Sequence, residues 1–221
     1  MKKLLFTVMM LCGMVQMTSA QVKFGIEAGT NISSFMSGHK STFKEPDGFS
    51  MGFQIGGNMQ YQFYKGWNLE TGLTFMHLEN KAIGHQVVDR MVVRNERLVL
   101  PLRLGHTFLI GDKVKIIPSA GMFATYCLGG TGTAYIGKSD ANKIHITEPF
   151  ENKYVTTVEN GQEMNQTIRP LHHFNYGITA GVKAMINNHY TISLNYMSDL
   201  WSVQYDGLHS YNYSLSIGYT F

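Results

Sequence analysis

Beyond residue 20, the 221-residue chain contains no continuous apolar run that could form a membrane-spanning helix, which needs about 20 residues. Charged residues are also scarce: they make up 15% of the sequence, against about 25% in soluble domains. A low charge content without an apolar helix excludes a helical membrane protein and is unusual for a soluble one. If this chain enters a membrane, it must cross it as strands.

The first twenty residues have the composition of an export signal. Lys2 and Lys3 are followed by an apolar run over residues 4–15 and by the small residues Thr18, Ser19 and Ala20. A positive head, a short apolar stretch and a small-residue site predict a secretory signal peptide over residues 1–20, cleaved after Ala20. The alternative, a spanning helix, needs a longer run.

The cysteine content and the net charge bear on two further questions: whether the chain forms a disulfide bond and whether it binds nucleic acid. Of the two cysteines, Cys12 lies in the predicted signal, so Cys127 has no partner for an intramolecular disulfide. Removal of Lys2 and Lys3 lowers the formal net charge from +3 to +1. This balance gives no reason to expect nucleic acid as a partner, and the chain has no nucleotide-binding fingerprint. About 200 residues remain, over residues 21–221, enough for one all-β domain.

The C-terminal segment shows the pattern that decides the fold class. Every second residue from Tyr211 onward is large and apolar: Tyr211, Tyr213, Leu215, Ile217, Tyr219 and Phe221. The residues between them are Asn212, Ser214, Ser216, Gly218 and Thr220. Because successive side chains of a strand point to opposite faces, this segment predicts a strand with one apolar face and one small polar face.

The same alternation recurs in seven segments upstream. They cover residues 22–29, 51–63, 67–75, 98–108, 115–126, 174–186 and 190–196. Ile117 and Phe123 disturb the alternation in the fifth of the eight segments. Eight is an even number, as in antiparallel barrels of the bacterial outer membrane.

The orientation of the two faces separates a soluble barrel from a membrane barrel. In a soluble barrel, the apolar residues would all face inward, and Gly, Ser and Thr would cover the outside. The interior would then have to hold six tyrosines and phenylalanines from two segments alone. With the opposite orientation, apolar side chains face lipid and small polar ones fill a narrow lumen. The pattern predicts a closed eight-stranded antiparallel up-and-down transmembrane β-barrel, since an open edge would leave amides unpaired in hydrocarbon.

The connections between segments alternate in length, which independently supports this topology. The long ones cover about residues 33–48, 80–95, 129–168 and 198–210; the short ones lie at about residues 64–66, 111–112 and 187–188. This alternation predicts short periplasmic turns and long extracellular loops. Within the longest loop, the stretch 154–158 followed by Asn160 and Gly161 predicts a hairpin above the membrane.

Aromatic residues gather at the segment ends, as the interface girdles of membrane barrels require. The predicted periplasmic girdle contains Phe63, Trp67, Phe108, Tyr190, Tyr219 and Phe221. The predicted outer girdle contains Phe49, Phe75, Tyr126, Phe174, Trp201 and Tyr211.

Several short motifs resemble the PorT-like outer-membrane β-barrel domain of Bacteroidetes. They are Lys23-Phe24-Gly25-Ile26-Glu27-Ala28-Gly29, Leu69-Glu70-Thr71-Gly72-Leu73, Leu98-Val99-Leu100-Pro101-Leu102, Pro118-Ser119-Ala120-Gly121, and Tyr176-Gly177 with Ala180-Gly181. The resemblance covers essentially the whole mature chain and implies the barrel fold and an outer-membrane location. It assigns no functional residue.

Six charged residues lie on the predicted lumen face, each within about six residues of the periplasmic end of its segment: Lys23, Glu27, Glu70, Arg103, Lys115 and Lys183. Because charges in a low-dielectric interior need partners, they are expected to form one layer of salt bridges that fixes register. The alternative is a gate or narrow conduction path. Eight strands leave an interior that side chains just fill, so no appreciable conductance is expected.

A second set of polar residues lies at the predicted outer rim: His172, His173, Asp199, Ser202, His209 and Ser210. A Ser, His and acid converging there would suit a lipid-modifying hydrolase or acyltransferase, which is the enzymatic alternative. A metal site at His172 and His173 is not expected, because adjacent strand residues point to opposite faces. The sequence therefore predicts no catalytic, cofactor-binding or metal-binding residue.

The function expected from the sequence is structural service or loop-mediated docking. Expected partners are outer-membrane lipid and lipopolysaccharide, a protein bound at the extracellular loops, and the barrel-assembly machinery, recognised through the C-terminal strand that ends at Phe221. Nucleic acid is not an expected partner.

Overall fold

A computed structural model describes residues 22–37, 43–46, 48–84, 88–136, 143–146, 153–159, 162–168, 172–200 and 208–221. The predicted signal peptide, residues 1–20, lies outside the described residues, as do Trp201 and Ser202. Every regular element of the described part is a β-strand. No helix there is long and apolar enough to cross a membrane.

Eight strands form the barrel wall: β1 (Val22–Ser37), β3 (Ser50–Tyr64), β4 (Trp67–Gly84), β5 (Val88–His106), β7 (Val114–Ile136), β11 (Phe174–Ile186), β12 (Tyr190–Asp199) and β13 (Leu208–Thr220). After Thr107, β6 (Phe108–Ile110) continues β5 along β7. The other strands lie in the connections at the opposite end from the tight turns: β2 (Phe43–Pro46), β8 (Lys143–Ile146), β9 (Lys153–Glu159) and β10 (Gln162–Ile168).

The wall closes on itself through antiparallel pairs. Sequential wall strands pair with each other around the ring, including β7 with β11 across the longest connection. The last strand, β13, pairs with β1 from Gly25↔Thr220 to Ser37↔Leu208. The predicted closed eight-stranded up-and-down barrel is confirmed, and no wall strand is left with an open edge.

Exposure along the strands shows which face points outward. On β13, Leu215 and Ile217 are 53% and 70% exposed, whereas Ser214 and Ser216 are 3% and 1% exposed. Apolar residues therefore cover the exterior and small polar residues fill the lumen, which is the arrangement that lipid requires. The described girdle aromatics also lie on the exterior, with ring pairs such as Tyr190–Tyr219 at 5.6 Å and Phe49–Tyr211 at 6.0 Å.

Three tight turns join wall strands at the end that we call periplasmic. They contain residues with positive φ, which a two-residue hairpin turn needs: Lys65 and Gly66, then Gly111, then Asn187 and Asn188. The predicted short connections are confirmed at all three places.

The predicted long connections are shorter than the sequence indicated, because the wall strands extend beyond the lipid. The stretch 80–95 is mostly strand: β4 continues to Gly84 and β5 begins at Val88, with Asn80 paired to Val93. The predicted loop 129–168 begins with β7, which continues to Ile136. Above the lipid an apolar outer face is no longer required, so the alternation fades although the main-chain pairing continues.

These extensions form a sheet above the membrane, with the order β2-β4-β5-β7-β8. We call it the outer sheet. Its lumen-side face is buried and contains Leu78, Met91, Val93 and Ala134. The predicted hairpin in the longest connection is confirmed as β9–β10, which pairs only with itself among the described strands.

Candidate functional site

A buried ion cluster occupies the lumen in the periplasmic half of the barrel. Glu70, only 1% exposed, accepts a hydrogen bond from Lys183 Nζ at 2.7 Å through Oε2 and one from Arg103 Nη2 through Oε1. Arg103 also donates to Asn195 Oδ1. We call Glu70, Arg103 and Lys183 the lower ion cluster. It joins β11 to the neighbouring strands β4 and β5, and the carboxylate of Glu70 accepts from both cations, as charges in a low-dielectric interior require.

Glu27 supplies a further negative charge to the same level. Its buried side chain and that of Arg103 line one cavity of about 30 Å³. With Glu27 included, two carboxylates face the two cations Arg103 and Lys183, so the four charges balance.

Lys23 and Lys115 lie elsewhere. They line a separate cavity of about 20 Å³ together with Gln60, Gln62 and Thr107. The expectation that all six lumen charges share one layer is therefore wrong: there are two layers. Lys23 and Lys115 lie one residue from the periplasmic ends of their strands, whereas the other four lie three to five residues from theirs, so the two groups reach different heights.

A further ion pair closes the lumen towards the outer end. One of its members, Asp199, is among the rim residues predicted from the sequence, but the other, Arg97, is not. Arg97 Nη1 lies 3.4 Å from Asp199 Oδ2, and both side chains are buried. Arg97 Nε also donates to Asn95 Oδ1 at 3.0 Å. Arg97 lies an even number of positions from Arg103 on β5, so the two side chains point to the same face of the strand. This spacing could have placed Arg97 in the lumen.

An apolar belt separates the two ionic levels. Met76, Leu78, Val99 and Phe123 form a buried cluster against which Met197 packs. The belt borders the Glu27 cavity on one side and, on the other, a cavity of about 10 Å³ beside the Arg97–Asp199 pair.

The belt and the ionic levels together block the barrel axis. The lumen cavities described above measure about 30, 20 and 10 Å³, which is room for one or a few water molecules each. An ion on the axis would have to lose its hydration in the belt, where no charged side chain replaces it. The lumen geometry therefore fits a filled barrel better than a conducting one.

The five predicted rim residues that the structure describes do not meet as a catalytic group. Asp199 belongs to β12 and faces the lumen, not the seventh connection where the sequence placed it, because it keeps the inward parity of Asn195. Ser210 accepts a hydrogen bond from Asn80 Nδ2 at 3.3 Å, also in the interior. His209 Nδ1 lies 3.2 Å from the main-chain oxygen of Asp199, not from its carboxylate.

The remaining rim candidates lie beside β7. His173 stacks on Tyr126 at 5.6 Å, and its Nδ1 lies 3.3 Å from the main-chain oxygen of Cys127. His172 precedes it and is partly buried. Ser202 lies outside the described residues. Within the described ranges, no three His, Cys, Asp or Glu side chains are grouped so as to hold a metal ion.

A strip of charged residues lies on the outward face of the outer sheet, beyond the girdle residue Phe75. Arg94 Nε donates to Glu79 Oε2 at 2.6 Å, and Lys81 Nζ lies 3.4 Å from Glu79 Oε1. Burial alone would raise the pKa of Glu79, but Arg94 and Lys81 outweigh it and lower that pKa below its usual value. We call Glu79, Lys81 and Arg94 the outer charged strip.

The outer membrane protein beta-barrel domain family has a model that matches residues 4–221, almost the whole chain. The chain belongs to this family. Its members are named for the bacterial outer membrane, and the exterior described above has the apolar surface that such a location requires. The protein is therefore a small eight-stranded barrel of the bacterial outer membrane.

Three of the solved structures to which the chain is similar are the following. The attachment invasion locus protein Ail of Yersinia pestis, solved with the heparin analogue sucrose octasulfate, shares 14% identity over 91% of this chain and 99% of its own, with a TM-score of 0.41. Neisserial surface protein A shares 11% identity over 90% and 97%, with a TM-score of 0.42. OprG of Pseudomonas aeruginosa shares 14% over 91% and 96%, with a TM-score of 0.46. No curated protein matches the chain significantly.

Proposed function

We propose that this protein is a non-conducting outer-membrane barrel whose function is to bind a protein partner at its extracellular end. The observation that carries the proposal is the contrast between the two parts of the molecule. The lumen is filled by two ionic levels and an apolar belt, whereas the strands continue past the lipid into the outer sheet and the β9–β10 hairpin. Loops on a rigid scaffold are where barrels vary their binding.

The β9–β10 hairpin is the segment best suited to docking. Its strands pair only with each other among the described strands, so its removal would break no described hydrogen-bonded pair of the wall. Long connections in compact domains are usually either functional or disordered, and this one contains an ordered two-stranded pair.

The test replaces residues 153–168 with a short Gly-Ser linker and compares cross-linked partners in intact cells. Docking through the hairpin predicts that the variant keeps the heat-modifiable gel shift of a folded barrel but loses its cross-linked partner. A hairpin of equal length with scrambled sequence is the matched control and should also lose the partner. Unchanged cross-linking in the linker variant would refute docking through this segment and favour a purely structural role.

Lipopolysaccharide is the lipid partner that we propose for the outer charged strip. Four residues of strand separate Glu79 from Phe75, which puts the strip roughly 10 Å above the outer girdle. Phosphate groups lie at this height, and Arg94, 60% exposed, can reach them. Arg94→Gln with Lys81→Gln should weaken retention of lipopolysaccharide, whereas Lys65→Gln, at a periplasmic turn, should not. Equal retention in both variants would contradict this assignment.

We also propose no enzymatic activity, and no described observation favours the lipid-modifying alternative. Two of its candidate residues are engaged in the lumen, Asp199 with Arg97 and Ser210 with Asn80. Purified protein should leave the acyl chains of labelled lipid A intact. Acyl-chain release or transfer that Ser202→Ala abolishes would overturn this proposal.

Three finer assignments belong to the same proposal. Residues 1–20 act as a cleaved signal peptide, and N-terminal sequencing of the mature protein should start at Gln21. The barrel-assembly machinery recognises the last strand, whose terminal Phe221 is exposed on the exterior. The chain belongs to the PorT-like branch found in Bacteroidetes, which is supported by the strand motifs quoted above.

A further inference from the structure

The lipid-facing surface contains a groove that the proposed function does not use. It measures about 450 Å³ and crosses the exterior of β11, β12, β13, β1 and β3 in the periplasmic half of the barrel. Its rim and floor include Ile55, Tyr190, Ile217, Gly218, Tyr219 and Ala28. Sites for small molecules commonly measure about 300–1,000 Å³, so the groove has the size of a ligand site.

The pairing register explains how a convex barrel forms a concave surface. Ala28 lies between Ile217 on β13 and Ile55 on β3, so one small side chain stands between two large ones. Ala28 is itself exposed, so the low floor between these two isoleucines faces the lipid.

The groove opens directly above the periplasmic girdle. Tyr190 and Tyr219, which pair across β12 and β13, border it and contact each other edge to face at 5.6 Å. Interface tyrosines place their hydroxyl groups at headgroup level and their rings in hydrocarbon. The groove therefore lies in the hydrocarbon of the periplasmic leaflet, next to the headgroups.

We propose that this groove binds one acyl chain of a phospholipid in the periplasmic leaflet. The lining side chains are almost wholly apolar, and the position in the bilayer brings acyl chains to it. A second barrel would be a poor occupant, because its convex wall would touch the rims and leave Ala28 uncovered. A flexible chain can follow the floor, and each methylene group that it buries there adds contact area.

The test uses nanodiscs of phosphatidylethanolamine that contain a small fraction of a diazirine-labelled acyl chain. After irradiation, mass spectrometry maps the labelled residues around the barrel. Binding in the groove predicts several-fold more labelling at Ile26, Ala28 and Ile217 than at outward residues of equal depth. Ala28→Phe should remove this excess by filling the groove. Ala180→Phe is the matched control, because Ala180 is also exposed on the exterior and also lies six positions from the periplasmic end of its strand.

The possible outcomes are distinguishable. Even labelling around the wild-type barrel would overturn the proposal, and so would an excess that survives Ala28→Phe. Cross-links between two barrels at the groove, lost in Ala28→Phe, would identify a second copy as the occupant and also overturn it. Heat modifiability verifies folding of each variant. If Ala28→Phe fails to fold, Ala28→Leu takes its place and should lower the excess by about half or more.

Discussion

Replacement of Glu70 by glutamine tests whether the lower ion cluster holds the barrel together. The change keeps the shape of the side chain but leaves Arg103 and Lys183 without their shared carboxylate. Glu27 would then face two cations with one negative charge. Because both cations are buried, they cannot regain hydration unless the barrel opens.

The expected cost follows from that burial. Removal of one partner of a buried ion pair typically destabilises a protein by about 3–5 kcal/mol. This corresponds to an increase of roughly a hundred- to several-thousand-fold in the unfolding equilibrium constant. Glu79→Gln is the matched control, since it removes the same chemical group from the partly exposed outer strip. Exposed pairs contribute only about 0–1 kcal/mol.

The assay is reversible urea unfolding in lipid vesicles, followed by tryptophan fluorescence. A second variant makes the interpretation sharper: Lys183→Met combined with Glu70→Gln restores neutrality, with Arg103 facing Glu27. We expect the double variant to be more stable than the sum of the single changes predicts, by roughly 0.5–3 kcal/mol of coupling. A Glu70→Gln barrel within about 1 kcal/mol of the unaltered protein would refute the reasoning, since exposed pairs alone cost that much.

Three further predictions follow from other parts of the barrel. In planar bilayers the unaltered protein should show no steady single channels, and large regular ones would contradict the closed lumen. Since the folded-state pKa of Glu79 is lowered, its pairing with Arg94 stabilises the outer sheet above the ordinary value of 4.5 and is lost as pH falls below it. The protection of amide hydrogens in that sheet, measured relative to the intrinsic exchange rate at each pH, should therefore fall in acid, but not further in Glu79→Gln. Gly121→Ala should destabilise the barrel by about 1–3 kcal/mol or more, because its Cβ would lie 2.0 Å from a main-chain oxygen of β5. Gly129→Ala on the same strand, where the nearest atom is 3.8 Å away, should be tolerated.

The wall could be predicted from sequence because successive residues of each strand face two different environments, the lipid and the lumen. Lipid requires a large apolar group at Leu215 and Ile217, and the narrow lumen requires a small polar group at Ser214 and Ser216. Each constraint repeats every second residue along most of the lipid-spanning wall, and the large lumen side chains of the belt and of Ile117 are exceptions. A local pattern was therefore enough to predict strand number, direction and facing.

The outer sheet was not predicted, because the requirement for an apolar side chain on the outward face ends where the lipid ends. Lys81 pairs with Val92 and Asn80 with Val93 in regular antiparallel register. Main-chain hydrogen bonds hold these residues in strands, but water outside the barrel allows charged side chains such as Glu79 on the outward face, while Leu78 and Val93 are buried on the inner face. The alternation therefore disappears although the strand does not.

The levels of the lumen could not be predicted because they depend on height along the axis. Ile117 and Phe123 disturb the alternation on β7, and in the structure both are buried on the lumen side. Arg97 and Asp199 are 102 positions apart in sequence, and only the stagger of the closed barrel brings them together. The alternation along a strand predicts whether a side chain points to the lumen or to the lipid, but not its height along the barrel axis.

The filled lumen also separates the two proposed binding surfaces. Because the belt and the ionic levels hold the wall strands together across the axis, a change at one end has no mobile interior through which to act on the other. The β9–β10 hairpin stands beyond the outer leaflet, and the groove at Ala28 faces the periplasmic leaflet. Removal of the hairpin should therefore leave acyl-chain labelling unchanged, and Ala28→Phe should leave partner cross-linking unchanged. If either variant abolished both activities, the two surfaces would be coupled, and the lumen could not be the rigid plug that its contacts indicate.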